Sequence, residues 1–207
     1  MIGLEKILRK DKSIKPTPRE EELVKELNNF ELQPEHKDML TKFGFLSVEE
    51  LKVNDHTTAL LVTIPFPLLA QFKSIAKTLV PALEAHLKAP VLFIAKRKII
   101  SRHLKIKRTQ QIPRSRTLTS VHKEILEDLI YPFTIVEKRE HVKSNGTSTH
   151  KISFNEKALE MFNSLDKKQA IEAAYKKLTC KTLTIDFVHV ESRLPKKKKE
   201  VVKEETN

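Results

Sequence analysis

Leu23, Leu27 and Phe30 recur at helical spacing behind Thr17-Pro18 and the acids Glu20, Glu21 and Glu22. A capping residue, a first-turn proline and carboxylates at the positive end of the helix dipole together predict a helix opening at Pro18. Pro34 is expected to open a short second helix through Met39 and Leu40. Residues 45–53 and 58–64 read as strands joined by a turn over 54–57. Leu69, Phe72, Ile75, Leu79, Leu83 and Leu87 then return every three or four positions and predict a long amphipathic helix. Pro81 lies inside it, where the missing N–H and the crowding ring predict a kink. Residues 91–95 are uniformly apolar, the mark of a strand buried on both faces.

Residues 101–113 follow neither period and are expected to form an exposed loop. Leu118, Val121, Ile125 and Leu129 share one helical face, with Thr117 or Thr119 as the cap and Pro132 as the stop. Residues 134–143 and 147–154 flank Asn145-Gly146, which predicts a hairpin with a type I′ turn and positive φ at both central residues. A helix from Asn155 carries Leu159, Phe162, Leu165, Ile171, Tyr175 and Leu178, with an interruption expected near Asp166. Residues 182–188 alternate as a last strand.

The order is ααββαβ, the basic loop, then αββαβ, so each half holds a hairpin, a helix and a strand. No residue-level repeat accompanies that symmetry. The fold class expected is a mixed α/β single domain, with a mixed β-sheet packed by helices, a projecting basic loop and a disordered C-terminal tail. Its limits are an N-terminal extension at 1–16, the domain at 17–188 and the tail at 189–207. The tail is polar and glycine-free and carries Lys196 to Lys199 among several glutamates.

Composition sharpens this frame chiefly through charge. The 207 residues carry a formal net charge of +12. From Ala85 through Lys123 there is no Asp or Glu, yet eleven of the 39 bases fall there; the remaining 28 face all 27 acids elsewhere. One acid-free segment therefore supplies nearly the whole excess, and like charges held so close favour a polyanionic partner. The three glycines are scattered, which excludes the clustered-glycine loops that bring backbone N–H groups onto phosphates in nucleotide-binding enzymes. A single cysteine, Cys180, rules out an intrachain disulfide and a thiolate zinc site. The longest uncharged run, residues 57–72, carries Pro65 and Pro67 and is too short to span a bilayer. No secretory signal is expected, and Glu5 and Asp11 argue against a mitochondrial presequence.

Catalytic patterns are missing. The eight histidines form no pair at metal-ligand spacing with a neighbouring glutamate. Glu127 and Asp128 are sequence neighbours, which point about 100° apart on a helix and make no ready acid–base pair. They are expected to pair with nearby bases. Cys180 has no activating base in view. No catalytic residue, metal or cofactor is assigned.

Between Phe93 and Tyr131 there is no aromatic residue, so the basic segment offers no platform on which bases could stack. What remains is guanidinium and ammonium chemistry aimed at phosphate and ribose, which suits a folded RNA. The candidate RNA-binding residues are Lys96, Arg97, Lys98, Arg102, Lys105, Lys107, Arg108, Arg114 and Arg116, with Lys138 and Arg139 in second rank. Arg114-Ser115-Arg116 stands directly ahead of a helix start, where the two guanidinium groups can fork onto phosphate oxygens and the open N–H groups of the helix start can hold another.

The block Pro113-Arg114-Ser115-Arg116-Thr117-Leu118-Thr119 with Val121-His122, then Ile125-Leu126-Glu127-Asp128-Leu129 and Pro132, resembles the eukaryotic small-subunit ribosomal protein S7 family. Phe93-Ile94-Ala95 with Arg97 and Ile99 looks like the strand leading into that family's basic loop. Ile135-Val136, Lys138-Arg139, Val142-Lys143 and the Gly146 turn follow in order, and Tyr175-Lys176-Lys177-Leu178-Thr179 with Lys181 completes the likeness. The resemblance implies a structural component of the cytoplasmic small subunit that binds small-subunit ribosomal RNA, without catalysis. It also implies other small-subunit proteins and assembly factors as partners, with nucleolar passage and a part in subunit assembly and RNA processing. The chain departs from the family pattern in a shorter, less lysine-rich loop between Ile99 and Pro113. Glu137 and Cys180 stand where glycine is usual, and the stretch from His189 to Asn207 runs past the usual end.

Rival classes fit less well. A membrane-surface protein would set its bases on one helix face opposite bulky apolar residues, and a DNA reader would not carry Glu124, Glu127 and Asp128 on its recognition helix. An RNA-modifying enzyme would need an active site. The alternative retained is an assembly factor or other RNA-binding protein that leaves before the ribosome matures.

Overall fold

The computed structural model describes residues 6–8, 15–32, 40–54, 57–100, 113–155, 162 and 166–188. Helix α1 (Pro18–Glu31) starts where the acids and proline place it. The Glu20 carboxylate is fully buried; it accepts the Thr17 N–H at 2.9 Å and the Val48 N–H at 3.2 Å, which ties the helix start to the first strand. Strand β1 (Ser47–Lys52) runs antiparallel to β2 (Thr58–Pro65), with Ser47 opposite Thr63. A 3-10 turn (Phe66–Leu68) and helix α2 (Leu69–Leu87) carry the chain across to β3 (Val91–Lys96), which lies parallel to β2 with Leu60 opposite Val91. Helix α2 continues through Pro81 and ends at Lys88 in the left-handed region.

The second half repeats the plan. Helix α3 (Leu118–Ile130) leads to β4 (Glu137–Val142) and β5 (Ser148–Asn155), an antiparallel pair, and helix α4 (Lys167–Thr179) returns the chain to β6 (Thr182–Val188), parallel to β5. The mixed α/β class is as expected, but the strands form two three-stranded sheets, β1-β2-β3 and β4-β5-β6. The apolar faces of α3 and α4 fill the interval, so side-chain packing rather than a hydrogen-bonded ladder joins the two sheets.

Two clusters make the core. Leu60, Val62, Ile64, Val91 and Phe93 cover one face of the first sheet and meet Leu23 and Leu27 of α1 and Phe72, Ile75, Leu79 and Leu83 of α2. From the opposite face Leu61, Leu92 and Ile94 meet Leu126 and Leu129 of α3, Ile171 and Tyr175 of α4, and Ile152, Phe154, Leu183 and Ile185 of the second sheet. Strands β2 and β3 are thus buried on both faces, which is why residues 91–95 are uniformly apolar.

Residues 6–8, inside the stretch expected to be an extension, lie against the first cluster. Leu8 N–H donates to Phe45 O at 2.8 Å and Phe45 N–H to Lys6 O at 2.9 Å. The buried Lys6 ammonium sits 2.6 Å from the Glu31 carboxylate. Gly44 permits this approach, because a Cβ there would fall 2.8 Å from both the Lys6 carbonyl oxygen and the Leu8 side chain.

The β4–β5 hairpin differs from its expected turn. Only Gly146 has positive φ (79°), Lys143 N–H bonds Thr147 O at 2.9 Å, and Gly146 N–H bonds Lys143 O at 3.0 Å. This is a three-residue loop with glycine in its left-handed position. The Asn145 Oδ1 accepts the Thr147 N–H at 3.1 Å and hydroxyl at 2.6 Å, bonds that fit ordinary negative φ at Asn145. The break near Asp166 falls where Asp166 adopts φ +50° ahead of α4. The short helix expected after Pro34, most of the helix from Asn155, most of the basic loop and the tail lie outside the described residues.

Candidate nucleic-acid interface

Strand β3 stays buried through Ala95 and then surfaces at Lys96. At this point three successive cations leave the sheet, and their fates diverge. Lys96 and Lys98 are exposed. The Arg97 side chain is 8% exposed and turns inward, with Nε 2.6 Å from Glu124 and a shorter bond from Nη1 to Asp128. Asp128 also accepts the Ala95 N–H at 3.3 Å and has the Lys73 ammonium 3.7 Å away. Glu124 and Asp128 lie four residues apart on α3, so one helix face holds both carboxylates to the guanidinium. Burial would push the Arg97 guanidinium down, but its bonds and charge attraction to Asp128 and then Glu124 outweigh burial and hold it above the ordinary arginine value.

Arg114, Ser115 and Arg116 form an exposed 3-10 turn immediately before α3. The Thr117 hydroxyl and N–H both donate to the Arg114 carbonyl, at 2.7 and 3.1 Å, and fix that turn against the helix start. Ile100 N–H donates to Arg116 O at 3.0 Å, so the two flanks of the basic loop are clasped together. Between the flanks lies a groove of about 350 Å³. Lys96, Lys98 and Arg116 rim it, Arg97 and Glu124 form its inner wall, and Phe66 closes it from the turn after β2. The Phe66 ring lies 5.7 Å from the Arg97 guanidinium and is 56% exposed.

Of the candidate residues, Lys96, Lys98 and Arg116 thus line one groove with Arg97 behind them, and Arg114 is exposed on the adjoining turn. Arg102, Lys105, Lys107 and Arg108 lie outside the described residues. Lys138 and Arg139 are adjacent on β4, opposite Ile152 and Lys151, so the pleat directs them to opposite faces. Arg139 pairs with Glu137 at 2.6 Å, and Lys138 lies close enough to His122 and His150 to oppose their protonation. Of the two neighbouring acids, Glu127 pairs with Lys123 at 3.8 Å while Asp128 holds Arg97.

Between Phe93 and Tyr131 the chain carries no Phe, Tyr or Trp, but the fold delivers Phe66 to the bases there from about thirty positions upstream. Sequence reasoning missed this residue, and only the parallel pairing of Pro65 with Lys96 would have revealed it. Among the described residues no group of His, Cys, Asp and Glu gathers that could hold a metal.

The family described as "Ribosomal protein S7e" matches residues 7–187. The chain belongs to the ribosomal protein S7e family. It is 34% identical over 193 residues to small ribosomal subunit protein eS7 of Schizosaccharomyces pombe, covering 90% of this chain and 96% of that one. It is 35% identical to eS7A of Saccharomyces cerevisiae, over 74% and 81% of the two chains. With eS7 of Dictyostelium discoideum it shares 37% identity over 78% and 82%. S7e proteins are ribosomal proteins, a structural rather than a catalytic kind. The two positions where glycine was expected, Glu137 and Cys180, have different geometries. Cys180 ends α4 at φ +57°, in the region that favours glycine, whereas Glu137 opens β4 in extended backbone opposite Ser153.

Proposed function

We propose that this chain is a structural constituent of the cytoplasmic small ribosomal subunit and binds small-subunit ribosomal RNA through phosphate and ribose contacts. Membership of the S7e family carries the ribosomal part of this reading. The acid-free segment with its eleven bases supports the RNA part. Lys96, Lys98, Arg114 and Arg116 are the contacts among the described residues, joined by Arg102, Lys105, Lys107 and Arg108 from the stretch of sequence between them. Lys138 and Arg139 add contacts from the second sheet. Arg97 acts from behind, setting the direction in which Lys96 and Lys98 leave β3. Other small-subunit proteins and assembly factors are the protein partners. The chain passes through the nucleolus during assembly and takes part in ribosomal RNA processing.

Sedimentation of cell extract through a sucrose gradient, at low and then moderate salt, tests the reading. Co-migration with small subunits, whole ribosomes and polysomes at both salts is the expected result. Confinement to precursor particles would instead make the chain an assembly factor. Replacing Arg114→Glu with Arg116→Glu should deplete the chain from small subunits while leaving its circular dichroism melt unchanged, because both side chains are exposed.

A further inference from the structure

The groove beside β3 has features that phosphate contacts alone do not use. Strands β2 and β3 are parallel and end together, at Pro65 and Lys96, and the groove opens off their carboxyl ends. Its volume, about 350 Å³, falls at the low end of the range of small-ligand pockets. Phe66 is 56% exposed at its mouth, an aromatic ring left to water among cations. The Arg97 guanidinium, 5.7 Å from the ring centre, is held in turn by Glu124 and Asp128, so the cation and the ring form one backed unit. Lys96, Lys98 and Arg116 stand around this ring on two separate flanks of the chain.

A flat apolar face with cations around it matches the chemistry of a single nucleotide, which presents a π face and a phosphate on either side. An acidic peptide would satisfy the cations but has no equally flat group at each residue. The geometry points to Phe66 as a stacking platform for one unpaired base of the bound RNA, with Lys96, Lys98 and Arg116 holding the phosphates that flank it. This rests on the reading of the chain as an RNA binder and extends it from backbone contact to capture of a base. Backbone cations are indifferent to whether a base is present, whereas stacking on an aromatic ring is worth about tenfold in affinity per base.

The chain contains no tryptophan, so a Phe66→Trp variant of the full-length protein reports from this position alone. Titration at low salt with a short oligoadenylate and with its abasic analogue of equal length should quench the indole only with the former. The unsubstituted protein should bind the oligoadenylate about tenfold more tightly than the abasic chain. Phe66→Ala should abolish that difference and leave abasic binding unchanged; Phe66→Leu, which keeps bulk without a π face, should do the same. Equal binding of the two oligomers, with no quenching, would overturn the base site while leaving the phosphate reading intact. Binding of neither would overturn both. Quenching by an acidic peptide but not by oligoadenylate would make the groove a protein-docking site and overturn the proposal.

Discussion

The two sheets share one topology, an antiparallel hairpin followed by a parallel third strand, yet they meet water differently. In the first, Val62 and Leu61 on neighbouring positions of β2 are 0% and 1% exposed, because helices cover both faces. In the second, Ile152 is 0% exposed while its neighbour Lys151 reaches solvent and pairs with Asp186 at 2.6 Å. Strand β4 at the edge is exposed and charged almost throughout, with Lys138, Arg139 and Glu140 in succession, a pattern that discourages edge-to-edge pairing with another chain. The same connectivity therefore serves once as a rigid central layer and once as an outer wall. The basic residues are mounted on the central layer: Lys96 and Lys98 leave a strand buried on both faces, and Arg97 is held to α3 by Glu124 and Asp128. If the proposed RNA contacts are made by these bases, such fixed placement leaves less ordering to be done at the moment of binding.

The largest effect should come from charging the inner layer. Val62→Glu buries a carboxylate with no partner among Leu27, Phe72 and their neighbours and should cost roughly 4 kcal/mol or more, enough to abolish cooperative unfolding. Lys151→Glu, on the corresponding outward position of the second sheet, should change stability by less than about 1 kcal/mol, since the ion pair it loses is exposed. Urea unfolding of both variants checks the contrast, and similar losses would contradict the two-layer description.

Next in size is Arg97→Met. It leaves Asp128, whose side chain is 2% exposed, without its principal cation and should destabilise by roughly 3 kcal/mol, whereas Lys96→Met and Lys98→Met should lie within about 0.5 kcal/mol of the parent. The RNA affinities should rank differently, with Lys96→Met and Lys98→Met lowering binding although the fold is untouched. Cys180→Gly should stabilise by about 1 kcal/mol, read as a higher midpoint in urea, because a side chain at φ +57° is strained where glycine is not.

The smallest signal is a pH dependence. His150 is buried in the second sheet, with neither ring nitrogen hydrogen-bonded and Glu140 3.6 Å from Nε2. Burial, then Lys181, lowers its proton affinity against the opposing pull of Glu140, with Lys138 and His122 adding to the lowering. The unfolded chain consequently binds this proton more readily than the native one. Stability is full above the ordinary histidine value near pH 6.5 and declines as pH falls below it, towards the lowered native value. His150→Gln should flatten that decline in urea midpoints measured across the acid range.

Local signals made most of the elements legible. Thr17-Pro18 with its acids marked α1, and the unbroken apolar run 91–95 marked β3 as doubly buried. The turn at Asn145-Gly146 was located but mistyped, because the Asn145 side chain bonds Thr147 instead of letting its own backbone turn left-handed. The division into two sheets was not legible, since it depends on α3 and α4 offering apolar surface on two sides. The site divides along the same line. A run of bases shows where charge concentrates, and its exposed members Lys96, Lys98, Arg114 and Arg116 follow from that. Distinguishing Arg97 from its neighbours requires the two carboxylates that α3 brings to it. Phe66 was invisible for a related reason: a parallel crossover places residues side by side that are far apart in the chain.

A reconstruction of purified small subunits containing this chain, at side-chain resolution, tests the central claim most directly. RNA phosphates should lie against Lys96, Lys98, Arg114 and Arg116, with Arg97 still bonded to Glu124 and Asp128. A basic face open to solvent, or covered by protein with no RNA in reach, would contradict it.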